Sequence, residues 1–253
     1  AQVAGIAAVA IQNTSHFGPA GAFSKAAADA GMIALVFGNS DGFVRLFDGA
    51  EPFHGTNPIS VAVPSGQGNP WLLDMATSSV PFNRVELHQS LQRDLPRGVA
   101  SDSDGGDTTD PFCAEMLAPL GGSDFGFKGA ALGGVAEIFS AVLTGMKLSP
   151  DIAPMAGPDF LRAREMGAFL IVMDPVAFVA APLVEAGMTR YLALLRGSKP
   201  RAGQYVMAPG DREWARAAQR QVKGIPLDPI TVTNFSQLAD DYNVKLPWHA
   251  GPS

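Results

Sequence analysis

Apolar runs alternate with short polar stretches along this chain, and the runs differ in period. Residues 2–12 are almost wholly apolar, small or branched. That suits a strand covered on both faces. PAGAFSKAAADA, Pro19 to Ala30, reads as a short helix, with proline at its start and Gly31 just past its end. MIALVF, 32–37, is again a buried strand. If the two strands lie parallel in one sheet, the crossover is right-handed and both carboxyl ends open on one edge. The loops at that edge are Asn13–His16 and Asn39–Asp41, and such edges are where open α/β sheets bind ligands.

In GTNPISVAVP, Ile59, Val61 and Val63 alternate with Ser60 and Ala62, which predicts a strand. Residues 71–76 form another, ending in Thr77 and Ser78. The stretch 94–110 (DLPRGVASDSDGGDTTD) reads as a polar surface loop or lid. Asp110 and Pro111 cap and open a helix that runs to Gly121–Gly122. A second helix follows FGFKG, with Leu132, Val135, Ala136, Phe139, Val142 and Leu143 at helical spacing. FLIVMD, 169–174, is one more strand, and beyond 180 the chain turns helical. The expected architecture is mixed α/β or α+β, with an α/β core over 1–180 and a mainly helical region over 181–253.

Composition sharpens this picture. Of 253 residues, 47% are apolar and only 17% charged. This is a well-packed globular chain with few charges to solvate its surface, so a covering partner is expected. The net charge of -6, without a basic cluster, argues against nucleic acid. No apolar run reaches the roughly 18 residues of a membrane span. The single cysteine, Cys113, excludes an intrachain disulfide and points to a reducing compartment, the cytoplasm. The opening AQVAGIAAVAIQ has no basic leader or cleavage site, so a buried strand is expected rather than a signal peptide. A first residue of Ala rather than Met suggests a processed or incomplete form.

His16 stands where a ligand would bind, as an acid/base or as a capping histidine. The surroundings of His54, His88 and His249 favour structural roles. No metal spacing (HxxxH, CxxC) occurs, and DSDGGDTTD lacks the calcium-loop pattern. There is no GxSxG, and Cys113 is expected inside a helix as a core residue. GGSDFGFKGAALGG, 121–134, matches neither GxxxxGK[ST] nor GxGxxG. Yet Lys128 at a helix start would be unfavourable unless an anion binds there. A plain glycine-rich helix entry is the other reading, as is an ordinary capped helix for APGDREW, 208–214.

Together NTSHFGPAG, GTNPISVAVP, DMATS, LPRGVASD with DTTDP, LAPLGG with FKGAALGG, and PGDRE resemble, in order, the malate/L-lactate dehydrogenase family of the non-Rossmann type. That family includes ureidoglycolate, sulfolactate and diketogulonate enzymes and cyclic-imine reductases. The resemblance implies a non-Rossmann NAD(P)-binding sheet flanked by helices, and NAD- or NADP-dependent interconversion of a small 2-keto acid and 2-hydroxy acid. It also implies a homodimer with its active site near the interface. By position, His16 resembles the catalytic acid/base. Ser40, Asp74, Met75, Ala76, Lys128, Gly210, Asp211 and Arg212 resemble cofactor contacts. Asp41 is expected to hold the imidazole in one tautomer.

Two departures stand out. The family's preceding helical segment, which carries a further histidine and the arginine for the substrate carboxylate, has no counterpart in these residues. PFNRVE after DMATS departs from the family's Gly-Lys pattern, with Arg84 as the candidate replacement. A catalytically incomplete dinucleotide-binding subunit, a reductase of a cyclic imine carboxylate and a phosphate-ligand protein are the competing expectations.

Overall fold

The computed structural model describes residues 1–66, 68–246 and 248. They fall into two compact units, Ala1–Arg212 and Glu213–Ser253. In chain order the first unit carries β1 (Ile6–Thr14), α1 (Ala20–Asp29), β2 (Ile33–Gly38), β3 (Val44–Arg45), β4 (Pro52–His54), β5 (Ile59–Val63) and β6 (Trp71–Met75). There follow α2 (Phe82–Ser90), β7 (Ala100–Ser101), β8 (Asp107–Thr108), β9 (Met116–Leu117), α3 (Gly122–Glu137), β10 (Met166–Met173) and α4 (Ala181–Arg196). Helix α5 (Asp211–Lys223) leads into the second unit, which also holds α6 (Pro229–Asp241). The mixed α/β class agrees with the pattern of the sequence.

The main sheet has the order β1-β10-β2-β5-β6, and every neighbouring pair is antiparallel. One row across it reads Ala10, Phe169, Phe37, Ile59, Met75. Strands β1, β2 and β6 therefore run in one direction and finish at one edge. The two strands flanking α1 do share a direction, but β10 lies between them.

Helix α1 covers one face through a stripe of small residues (Ala20, Gly21, Ser24, Ala28). Ser24 Oγ meets Ser60 Oγ at 2.6 Å there. On the other face Phe139 stacks on Phe37 at 4.6 Å. The second sheet, β4-β3-β9-β7-β8, encloses a small core of Val44, Val85, Leu95, Ala100 and Leu117.

Four expectations are corrected. Strand β1 is an edge strand, with Ile6 and Val9 half exposed. An apolar run signals a strand, but its period does not say what covers it. No helix spans 110–121. Asp110 accepts from the Phe112 amide in a single turn, and the chain then enters β9, paired on both sides. The stretch 94–110 is more than a lid, because Leu95 and Ala100 are buried.

Cys113, fourth, is exposed rather than a core residue. Its thiol lies 3.3 Å from the Asp110 carboxylate, whose hydrogen bond and charge push its pKa up and keep it protonated.

Helix α3 begins at Gly122, so Lys128 sits in its second turn, beyond the reach of the helix-start argument. The helix continues as a π-helical turn over Ile138–Val142. The run Gly122–Val142 is long and apolar enough to cross a membrane by length and composition, unlike any run read from the sequence. Its glycines, however, pack inside the first unit. A Cβ at Gly126 would lie 2.8 Å from Pro119, and one at Gly133 would lie 3.0 Å from His54 Nδ1. One face of the helix is thus packed, while Leu132, Val135, Ile138 and Val142 stay exposed.

Candidate active site

The residues after β1, β2 and β6 lie along one edge of the sheet, with β1 and β6 as its outermost strands, and each segment is tied down differently. In the first, Gly18, at φ +77°, turns the backbone so that its amide donates to His16 Nδ1 at 3.0 Å. In the neutral ring the proton then sits on Nε2, the nitrogen left for a substrate. The neighbouring Phe17 ring lies over the end of β2, where a side chain at Gly38 would collide with it. It also packs on Phe23 of α1 at 5.6 Å.

The second segment carries Ser40 and Asp41. Ser40 Oγ accepts the Thr56 amide at 3.2 Å, which leaves its hydroxyl proton available. Gly55 permits this approach, since a Cβ there would overlap the hydroxyl. The Asp41 carboxylate accepts from the Arg164 guanidinium and, at 3.2 Å, from the Met155 amide. The tautomer-fixing contact on His16 therefore comes from Gly18, and Asp41 reaches the histidine loop through another residue.

That residue is Arg164. Its Nη1 donates to the Ser15 carbonyl and its Nε to the Ala153 carbonyl, both at 2.9 Å, while Nη2 holds Asp41. The pair is well shielded, with side-chain exposures of 11% and 17%. Sequence reasoning missed it. A signal was present: β10 antiparallel to β1 and β2 must start at the edge where they finish, which places LRARE, 161–165, beside His16.

The third segment ends β6. Asp74 sits on the α1 face, opposite Ser60 in the ladder. Gly21 of α1 admits its carboxylate, because a Cβ there would fall 2.5 Å from Oδ2. Met75 pairs with Ile59, and the Thr77 amide after Ala76 donates to the Thr56 carbonyl at 2.8 Å.

Alongside edge strand β6 runs the 208–212 loop. Leu72 donates to the Pro209 carbonyl at 3.2 Å, and Gly210 takes φ +95°. Asp211 is gripped by Arg196 in a fork of 2.9 and 2.6 Å and accepts the Ala208 amide at 2.9 Å. The Arg196 guanidinium holds the Asp211 carboxyl below the usual carboxylate range, against the opposing effect of burial. Lys128 stands on the exposed side of α3, its ammonium over the Phe125 and Phe127 rings at 5.4 and 5.7 Å. Its contacts are aromatic, unlike those of the strand-end groups.

His54 and His88 have structural settings. His54 is buried, and burial lowers its pKa against the opposite pull of Glu137. His88 Nδ1 lies 2.8 Å from the Asp94 carbonyl. His249 lies outside the described residues. Arg84 is exposed on α2. Among the described residues, no three His, Cys, Asp or Glu side chains gather as a metal-ligand group.

A single edge thus collects a histidine, a serine, two aspartates and a glycine-admitted helix start. The family model for malate/L-lactate dehydrogenase matches residues 1–236. The chain belongs to this family of oxidoreductases. It is 29% identical over 246 residues to the malate/(S)-sulfolactate dehydrogenase of Methanothermus fervidus, covering 96% of this chain and 69% of that one. It is 32% identical over 229 residues to the ureidoglycolate dehydrogenase (NAD(+)) of Escherichia coli, covering 90% and 64%. Among solved structures, the malate dehydrogenase of Entamoeba histolytica superposes with a TM-score of 0.89 at 27% identity, covering 98% of this chain and 71% of that one. The chain thus spans about two thirds of the length of these relatives.

Proposed function

We propose that the protein is an NAD- or NADP-dependent oxidoreductase that interconverts a small 2-hydroxy acid and 2-keto acid, with His16 as the acid/base. The observation that carries this reading is the convergence of the segments after β1, β2 and β6 on one edge, with His16 Nε2 left for a ligand. The polar groups suit a dinucleotide, since Ser40 can donate and Asp74 can accept from ribose hydroxyls. Met75, Ala76 and the Gly210–Arg212 loop flank them along β6, so the region after residue 180 completes the site. Lys128 would meet a phosphate. When bound, the nicotinamide supplies or takes the hydride.

The residues of the chain do the rest. In the reducing direction negative charge grows on the carbonyl oxygen. An imidazolium at His16 stabilises that charge and gives up the Nε2 proton. Oxidation runs the same transfer backwards. The Gly18 amide cannot donate to Nδ1 while Nδ1 carries hydrogen, which is so both in the imidazolium and in the Nδ1–H ring left after Nε2 gives up its proton, so that contact is open throughout the transfer and re-forms only when the ring returns to its Nε2–H tautomer. The apolar outer face of α3 and its π-turn, with Leu132, Val135, Ile138 and Val142 exposed by 38–61%, suits a homodimer contact.

The test is to follow absorbance loss from NADH and NADPH with a panel of 2-keto acids. His16→Ala lowers kcat by about 100- to 10,000-fold while dinucleotide binding, read by fluorescence, persists. Wild-type turnover in the variant would remove His16 from its role, and turnover in neither protein with any of the keto acids would remove the function.

A further inference from the structure

We infer that Arg164, seated on Asp41, is a positioning residue that fixes where His16 presents its reactive nitrogen. The inference rests on the reading of His16 as the acid/base. Arg164 touches the residue before His16 and the residue after Ser40 with one planar group, through the Ser15 carbonyl and the Asp41 carboxylate. It therefore sets the spacing between the proton-transfer group and a cofactor-contact residue on two separate strands. The Ala153 carbonyl and the Met155 amide anchor the same pair from a third segment.

The second support of the histidine, the Gly18 amide, works only on an unprotonated Nδ1. In the imidazolium, and in the Nδ1–H ring that remains once Nε2 has given up its proton, that support is gone. The Arg164 bond to the Ser15 carbonyl involves the backbone alone and is indifferent to the state of the ring. It is thus the tether that persists through proton transfer. A forked guanidinium can hold a carboxylate and two carbonyls at once in fixed directions, which an ammonium cannot. Small misplacement of a reacting group is costly, on the order of 100-fold for about 1 Å.

The experiment compares Arg164→Ala, Arg164→Lys and His16→Ala, singly and combined. Arg164→Ala is expected to lower kcat about 100-fold with KM and dinucleotide affinity near wild type. Arg164→Lys restores part of that loss. In the His16→Ala background, Arg164→Ala adds nothing to the residual rate, because it acts only through the histidine. A 15N spectrum of the ring reads the same point without turnover. Wild-type His16 shows one sharp set of ring signals, and Arg164→Ala shows broadened or multiple ones, because the loop that carries the ring is no longer held at Ser15.

An unchanged ring spectrum together with an unchanged kcat in Arg164→Ala would overturn the clamp. So would an equal loss in the His16→Ala background. Wild-type turnover by His16→Ala would instead sink the acid/base reading, leaving the spectrum to judge the tether. If Arg164→Ala does not fold, Asp41→Asn carries the same comparison.

Discussion

Asn57 donates a hydrogen bond to Glu137 at 2.6 Å where water does not reach, with the two residues 0% and 6% exposed. The same carboxylate takes the Ser149 hydroxyl at 2.6 Å and the Ser149 amide at 2.5 Å. Both carboxylate oxygens are thus acceptors from neutral donors. This knot joins the loop after β4, the end of α3 and the turn at 149, directly behind the Thr56–Thr77 segment of the site.

Glu137→Gln is therefore not a conservative change. An amide can accept at one position only, and its NH2 group would face a donor at the other. One buried donor loses its partner, at a cost of about 1–3 kcal/mol. Glu137→Ala strands the Ser149 amide and one Asn57 N–H, leaves the Ser149 hydroxyl only Asn57 Oδ1 at 3.3 Å, and costs more. Urea midpoints with an unchanged m-value measure both, and a midpoint for Glu137→Gln equal to wild type would refute the knot.

Gly21→Ala tests the cofactor edge. The added methyl would fall 2.5 Å from Asp74 Oδ2, so the carboxylate must move off the first turn of α1. On the proposed reading dinucleotide affinity drops about tenfold, the equivalent of roughly 1.4 kcal/mol. The fold survives, since Gly21 takes an ordinary helical conformation. Titration calorimetry with NADH and NADPH reads the affinity, and wild-type affinity in the variant would remove Asp74 from the site.

Stability should fall in mild acid because of His54. Burial holds its pKa in the folded protein below the ordinary value near 6.5, with Glu137 opposing. The unfolded chain therefore binds the proton more readily, and protonation favours unfolding. Stability is complete above about pH 6.5 and declines as pH drops through the folded-state value. The lowered carboxyls of Asp211 and Asp228 add a separate loss, below about pH 4. Urea midpoints at successive pH values locate the two windows. Equal midpoints on either side of the first window would contradict the assignment.

Much of the layout was legible because it rests on period and punctuation. Pro19 and Gly31 bracket α1, and the alternation at Ile59–Val63 marks β5. His16 and Ser40 stand out in the sequence because both lie just past an apolar run. What escaped depended on partners distant in sequence. The Asp110–Pro111 signal makes one turn and then yields to β9, whose pairing on both sides outweighs a local cap. Arg164 is 123 residues from Asp41, and Glu137 is 80 from Asn57. Neither partner can be named until the strand order is known. Helix α2 was missed for another reason: it buries only Val85, too little to leave a stripe.

The glycines of α3 reverse a familiar engineering rule. Exchanging helical glycine for alanine usually raises thermostability, by about 0.8–1.0 kcal/mol of intrinsic preference. Gly129, however, lies directly against the backbone of Leu120, and Gly133 against His54 and Thr77. A single methyl at either point would pry the helix away from the chain it packs on. Efforts to toughen this protein should leave those positions bare and spend their changes on Gly134, which faces open space.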